Sequence, residues 1–235
     1  MIAENGSHQP RRTRPATSTL LRGIVFLAIV AVVALFGASQ MAPAAASAPT
    51  VYVDDSAAAE GDGSAQNPVQ TIQEGLALLP EDGGTVAVHP GTYVGPIVIE
   101  TEGTTLQGLA TPVFTDGYVT AFTDVDDDDD EVVIKLAAPI AFRVDVVEVK
   151  ASDVQVRDIV VDVTPFVSLG LNSALSAKAE DDDFYEDIVF SEMVVRGIID
   201  TAGWSRNADA TFHQITSTDF GAIGLNPTGN GKVTV

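Results

Sequence analysis

The chain has 235 residues, with 33 acidic and 12 basic side chains, a formal net charge of −21 and no cysteine. This charge argues against electrostatic binding to nucleic acid or to an anionic membrane. The lack of cysteine excludes disulfide bonds and thiol redox chemistry.

The first 48 residues carry the pattern of a secretory signal peptide. Four arginines precede an uncharged, mostly apolar run over residues 23–38, and small residues follow as far as Ala48. We therefore predict that residues 1–48 are a signal peptide and that the protein is secreted. The alternative is an uncleaved N-terminal anchor at the cell surface, since the apolar run is long for a signal peptide and short for a membrane span. Residues 49–235 then carry 8 basic and 32 acidic side chains, a net charge of −24.

The segment "TIQEGLALLP" (71–80) predicts a short α-helix. Thr71 and Glu74 have the spacing of a capping box, and Pro80 stands where a helix ends. Gly75 weakens the helix by roughly 1 kcal/mol relative to alanine, so packing must hold it in place. One face of the helix is apolar and consists of Ile72, Leu76 and Leu79.

Residues 85–109, "TVAVHPGTYVGPIVIETEGTTLQGL", alternate between apolar and polar residues in three short runs. The runs are not joined by Asn-Gly or Asp-Gly, the usual two-residue hairpin signal. We therefore predict that Pro90-Gly91 turns a corner between successive strands of a coil. The predicted inward residues are Val86, Val88, Ile97, Ile99, Leu106 and Leu109.

Four later segments repeat this pattern approximately: "TTLQGL" (104–109), "VQVRDI" (154–159), "IVFSEM" (188–193) and "ATFHQI" (210–215). Apolar residues fill the third and sixth places of each. The third places are offset by 50, 34 and 22 residues, and a further offset of 22 leads to Thr234. A period near 22 predicts a β-solenoid, with the helix at 71–80 covering its first turn. We predict inserted loops at residues 123–131 and 171–187. The chain stops in "GKVTV" as a strand begins, so we expect the domain to be incomplete at its C-terminus.

The segment "VYVDDSAAAEGDGSAQNPVQTIQEGLALLPEDGGTVAVHPGTYVGPIVI" (51–99) resembles the entry segment of right-handed parallel β-helix proteins of the pectate-lyase-like superfamily. "GTTLQGL" and "ASDVQVRDIVVD" resemble the strand pattern that follows it there. The resemblance implies an all-β fold for residues 49–235, a right-handed parallel β-helix with a short N-terminal capping α-helix. It does not define an activity, because the same entry module precedes lyases, hydrolases, epimerases, esterases and proteins without known chemistry.

The catalytic motifs of related enzymes are missing. The sequence has no Gly-His-Gly, no Arg-Ile-Lys and no Asp-Phe-Ile-Phe-Gly. Lyases of the superfamily commonly combine Ca²⁺-binding carboxylates with an arginine or lysine base. Arg157 and Arg196 would face outward from the predicted strands, but the ordinary interpretation is that they pair with nearby carboxylates. No catalytic residue can be assigned.

Two kinds of candidate binding residue remain. Asp124, Asp126 and Asp128 have the D-x-D-x-D spacing of an EF-hand loop, but Asp129 and Lys135 replace its required Gly and Glu. Non-motif Ca²⁺ binding and a solvated acidic loop both stay open.

Trp204 and Tyr185 are the best candidates for stacking on a sugar ring. His89 and His213 have no sequence partner for catalysis and are expected to be structural. We expect a polysaccharide-acting protein, either lyase or hydrolase, or a polysaccharide-binding one. The alternative is a non-catalytic surface solenoid that presents loops to partners.

Overall fold

The computed structural model describes residues 48–123, 130–137, 144–164, 171–180, 183–197, 202–218 and 225–235. These residues form an all-β structure with one short helix. In chain order its elements are β1 (Thr50–Val53), α1 (Ile72–Ala77), β2 (Gly84–Val88), β3 (Gly91–Gly95), β4 (Ile97–Ile99), β5 (Thr104–Gly108), β6 (Thr111–Thr115), β7 (Tyr118–Thr123), β8 (Val132–Leu136), β9 (Val144–Val149), β10 (Gln155–Arg157), β11 (Val160–Asp162), β12 (Leu171–Lys178), β13 (Tyr185–Arg196), β14 (Gly203–Arg206), β15 (Ala208–Thr218), β16 (Leu225–Thr228) and β17 (Val233–Thr234).

All strands except β6 and β7 pair in parallel, in three stacks. The first stack is β1, β2, β5, β10, β13, β15 and β17. The second is β3, β8, β11 and the C-terminal halves of β13 and β15, and the third is β4, β9, β12, β14 and β16. The chain visits the stacks in this order in each of five layers, which are β2–β4, β5–β9, β10–β12, β13–β14 and β15–β16. The strands curl into a half-barrel around one main hydrophobic core.

The strand register confirms the alignment of the four repeated segments. Leu106 lies opposite Val156, Val156 opposite Phe190, and Phe190 opposite Phe212. All four side chains are buried, and the two phenylalanine rings stack with centroids 5.1 Å apart. The predicted last copy is wrong by one residue, since Thr234 pairs with Thr211 and not with Phe212. The preceding Val233 packs against the core, and alternation then turns Thr234 to solvent.

The corner at Pro90-Gly91 is confirmed, because β3 pairs with β8 rather than folding back on β2. The predicted inward residues of β2, β4 and β5 are buried, but the prediction for Leu109 is wrong: this side chain is 38% exposed. Strand β5 ends at Gly108, and the chain then leaves the layer to form a hairpin. Only glycine fits at this exit, because an ideal Cβ on Gly108 would lie 1.9 Å from the carbonyl oxygen of Asp158.

The predicted loop at residues 171–187 is also wrong. Residues 171–178 form β12 in the middle of the third stack, and residues 185–187 begin β13. Buried small residues fill much of β12, including Ser173, Ala174 and Ser176, so the strand lacks the strongly apolar alternation of its neighbours. In a sequence, small polar residues indicate a loop, but they also fit between close-packed parallel strands.

Most of the insert predicted at residues 123–131 lies outside the described residues, at 124–129. An antiparallel hairpin of β6 and β7 precedes it. The hairpin lies on the outer side of the second stack. Its Val119 and Phe122 form a second buried cluster with Val160 and Val194. The hairpin therefore covers side chains that would otherwise be exposed apolar residues of the second stack.

The predicted capping box is present at the start of α1. The Thr71 hydroxyl accepts a hydrogen bond from the Glu74 N–H, and the Glu74 carboxylate accepts one from the Thr71 N–H. Ile72 and Leu76 are buried against the first layers. Residues 1–47 of the predicted signal peptide lie outside the described residues. In the described ranges, no helix is long and apolar enough to cross a membrane.

Candidate functional site

The third stack carries a charged and aromatic patch on its outer side, which we call the third-stack patch: Glu148, Lys150, Lys178, Trp204 and Arg206. Glu148 on β9 lies opposite Ser176 on β12, and Ser176 lies opposite Trp204 on β14. Lys178 lies opposite Arg206 one row further along. Lys150 directly follows Val149, the partner of Ala177, so it occupies the same row as Lys178. Three of the eight basic residues in 49–235 thus lie in one row.

Salt bridges fix the lysines of the patch. The Lys178 ammonium contacts the carboxylate of Asp145 and lies 3.4 Å from Glu148 Oε1, while Lys150 lies 3.6 Å from Glu148 Oε2. The Asp145 side chain is only 2% exposed, and the Ser173 hydroxyl donates a hydrogen bond to it. Because each of these groups contacts another, the network holds its donors and acceptors in fixed positions.

Trp204 was predicted as a sugar-stacking residue, and the structure places it in this patch. The Lys178 ammonium lies 4.7 Å from the centroid of the indole ring, a cation–π contact. The indole Nε1–H donates a hydrogen bond to Thr228 Oγ1 at 3.0 Å. One face of the ring is therefore engaged by Lys178 and its edge is anchored, so the orientation of the half-buried ring is defined.

Tyr185, the second predicted aromatic residue, borders the same patch. Burial and the carboxylate of Asp183 raise the pKa of Tyr185, while the nearby Lys150 ammonium lowers it. The net direction is upward, so the phenol stays protonated and can donate a hydrogen bond at neutral pH. The half-buried Tyr185 ring packs against the main core, whereas Lys150 connects to Trp204 through Glu148 and Lys178.

Ser176 lies at the centre of the patch. Its side chain is fully buried, and its hydroxyl has no hydrogen-bond partner among the described residues. A buried hydroxyl without a partner is uncommon in folded proteins and needs an explanation such as a bound ligand or water.

The sequence did contain one signal for this patch that the prediction missed. Lys150, Lys178 and Arg206 are separated by 28 residues each time. This is one basic residue per layer over three layers. The supporting acids Asp145 and Glu148 have no such spacing, and only the pairing of β9 with β12 brings them to Lys178.

The two arginines considered as catalytic bases are both paired, as the ordinary interpretation predicts. Arg157 donates to Gln107 Oε1 at 2.7 Å and lies 3.4 Å from Asp158 Oδ2. Arg196 makes two contacts of 2.6 Å with the carboxylate of Glu131.

The predicted calcium ligands Asp124, Asp126 and Asp128 lie outside the described residues. Within the described ranges, no group of three or more His, Asp or Glu side chains could hold a metal ion. No family model matches the chain, and neither a curated protein nor a solved structure matches it.

Proposed function

We propose that residues 49–235 form a right-handed parallel β-helix of the pectate-lyase-like type, exported by the segment 1–48, that binds polysaccharide at the third-stack patch. The repeated order of the three parallel stacks supports the β-helix, as does the capping helix at the first layer. The observation that carries the function is the contact of Trp204, one of the two predicted aromatic residues, with a row of cations on successive layers.

The chemistry of the patch suits sugar hydroxyl groups. Each hydroxyl is both donor and acceptor, and charged partners form stronger hydrogen bonds than neutral ones. Lys150 and Lys178 provide donors beside the acceptor Glu148, and their salt bridges reduce the side-chain entropy lost on binding. Trp204 adds an apolar surface with a defined orientation.

The spacing of the layers suits a polymer rather than a single sugar. Neighbouring strands in a sheet lie about 4.8 Å apart. A chain of sugar rings that runs across the layers would therefore meet Lys150, Lys178 and Arg206 in succession.

The charges of the patch favour a neutral or weakly charged polysaccharide. Lys178 is balanced by Asp145 and Glu148, and residues 49–235 carry a net charge of −24. A strongly anionic polymer would be repelled unless Ca²⁺ bridges it to the protein.

Calorimetric titration of the full chain with neutral and uronate polysaccharides, with and without Ca²⁺, tests the proposal. Trp204→Ala and Lys150→Met should each weaken binding about tenfold, which corresponds to one lost stacking or charged contact. Phe114→Ala, an exposed aromatic residue on the hairpin, is the matched control and should bind as the wild type. Binding to none of the polymers, or equal binding by Trp204→Ala, would overturn the proposal. Assays for new reducing ends and for unsaturated uronates on the same polymers test the hydrolase and lyase predictions.

One observation favours the second candidate function, a non-catalytic surface solenoid that presents its inserts to a partner. The hairpin and its base leave three large apolar side chains more than one-third exposed: Leu109, Val113 and Phe114. If no polysaccharide binds while the fold is intact, this candidate becomes the better one.

A further inference from the structure

The corner between the first and second stacks contains a column of strained residues. Asp158, Glu192 and Gln214 have positive φ angles of 60°, 54° and 53°. Side chains larger than glycine rarely adopt this conformation, and such strain concentrates at positions with a role beyond packing. The three residues stand on consecutive layers. Each lies between residue pairs that are themselves in register across β10, β11, β13 and β15.

Asp158 is buried at this corner, with 4% of its surface exposed. Its Oδ2 receives the long 3.4 Å contact from Arg157, and its Oδ1 has no hydrogen-bond donor among the described residues. The charged groups that act on the carboxyl are Glu192 from β13 and Arg157 from its own turn, while β5 contributes the neutral Gln107. The buried Asp158 carboxyl group therefore faces the half-buried Glu192 carboxyl group beside a single guanidinium.

A second carboxyl group beside a buried one disfavours ionisation of the buried group, so Asp158 retains its proton. A proton held between the two carboxyl groups also gives the unpartnered oxygen of Asp158 a hydrogen bond. Because the Asp158 side chain is only 5% exposed, its carboxyl group is inaccessible to a polymer substrate. We propose that a proton on Asp158 makes a hydrogen bond to Glu192 and that this pair acts as a pH-sensitive latch between the third and fourth layers.

The latch is placed to control the hairpin. Val160 and Val194 each follow a latch residue by two positions, and they form the surface on which Val119 and Phe122 of the hairpin pack. Loss of the Asp158 proton would push the two layers apart beneath this contact. The hairpin should therefore loosen before the rest of the structure.

The direction of the pH effect follows from the pKa of Asp158. Burial and Glu192 raise the pKa of this carboxyl from 3.8 to about 7, against the lowering effect of Arg157 and Gln107. Since the folded protein holds the proton more tightly than the unfolded chain, the stabilisation is complete below pH 3.8 and is lost as the pH rises through 7. Between pH 6 and pH 8 the folding equilibrium constant should fall roughly tenfold.

Thermal unfolding of the full chain between pH 5 and pH 9 tests the latch. The wild type should lose stability with a midpoint near pH 7. Glu192→Gln should remove this step, because the amide can donate to the Asp158 carboxylate at any pH. Glu186→Gln is the matched control, an exposed glutamate on the same strand, and it should keep the wild-type step. A wild-type profile without a step, or a step that persists in Glu192→Gln, would overturn the latch.

Hydrogen exchange on the wild type provides a test that needs no variant. After correction for intrinsic exchange rates, protection of the Val119 and Phe122 amides should fall about tenfold from pH 6 to pH 8. The amides of β1 and β2, which β5 separates from β10 and the corner, should change less. Equal protection of the hairpin at both pH values would contradict the proposal.

Discussion

Arg196 at the end of β13 and Glu131 just before β8 form a two-point salt bridge across 65 residues of sequence, with both nitrogen–oxygen distances 2.6 Å. The side chains are 33% and 21% exposed, so solvent screens the pair only in part. The hydrogen bonds that Arg196 donates to Glu131 also raise the pKa of Arg196. Two-point contacts between a guanidinium and a carboxylate are stronger than single contacts, and this one ties the second stack to the segment that enters β8.

We expect Arg196→Gln and Glu131→Gln to show a coupling energy of about 1 kcal/mol in a double-mutant cycle measured by urea unfolding. Arg196→Lys should lose most of that coupling, because an ammonium cannot make the two parallel contacts. The single contact between Lys150 and Glu148, at 3.6 Å, serves as the comparison and should couple less strongly. Equal coupling in the two pairs would show that the two-point geometry contributes nothing.

Lys178→Met should destabilise the protein by about 3 kcal/mol or more, because it leaves the almost fully buried Asp145 carboxylate without its cation. Combining it with Asp145→Asn should recover much of the loss, since the uncompensated charge is then absent. The free energies of unfolding of the single and double variants measure this difference. A double variant no more stable than Lys178→Met would mean that lost packing of the lysine chain causes the effect.

Local patterns in the sequence were enough to predict the local features of the fold. The Thr71 and Glu74 capping box depends on residues three apart, and the inward places of Leu106, Val156 and Phe190 depend on alternation within short strands. Such local patterns predict the structure correctly wherever one face of the helix or strand is buried. The prediction failed where the context decides instead. Leu109 stands three residues after Leu106, out of step with the alternation of β5, and it lies after the strand has ended.

The candidate site was predicted less completely, because its residues meet only through strand register. Trp204 and Tyr185 could be chosen from their residue type alone. The place of Trp204 beside Lys178 and Glu148 required β12, the strand whose serines and alanines were interpreted as a loop. The two carboxyl groups at the corner between the first and second stacks were missed for the same reason. Asp158 and Glu192 are 34 residues apart, and nothing near either one indicates a buried carboxyl group.

Gly75→Ala should destabilise the protein by about 1 kcal/mol, although alanine is the better helix former by a similar amount. Gly75 is buried, and an ideal Cβ there would lie 2.7 Å from Val53 Cγ2 and 3.1 Å from Val86 Cγ1. Both valines are buried and stiff at χ1, so they cannot move aside freely. Thermal unfolding measures the change. Val53→Ala should lower the stability of Gly75→Ala by less than it lowers the stability of the wild type. Equal losses of stability in the two proteins would exclude the clash.

Tyr93→Phe should destabilise the protein by about 1 to 2 kcal/mol, because it removes a buried hydroxyl group that bridges two backbone segments. The Tyr93 hydroxyl donates to the carbonyl oxygen of His89 at 2.8 Å and accepts from the Asp55 N–H at 3.3 Å. Burial raises the pKa of Tyr93 above its ordinary value of 10.0. The folded state therefore keeps the phenol proton while the unfolded chain releases it, and the resulting stabilisation is lost as the pH rises above 10. Urea unfolding at pH 7 and pH 10.5 should show the wild type losing more stability than Tyr93→Phe over this interval. Parallel losses in the two proteins would mean that other groups cause the alkaline effect.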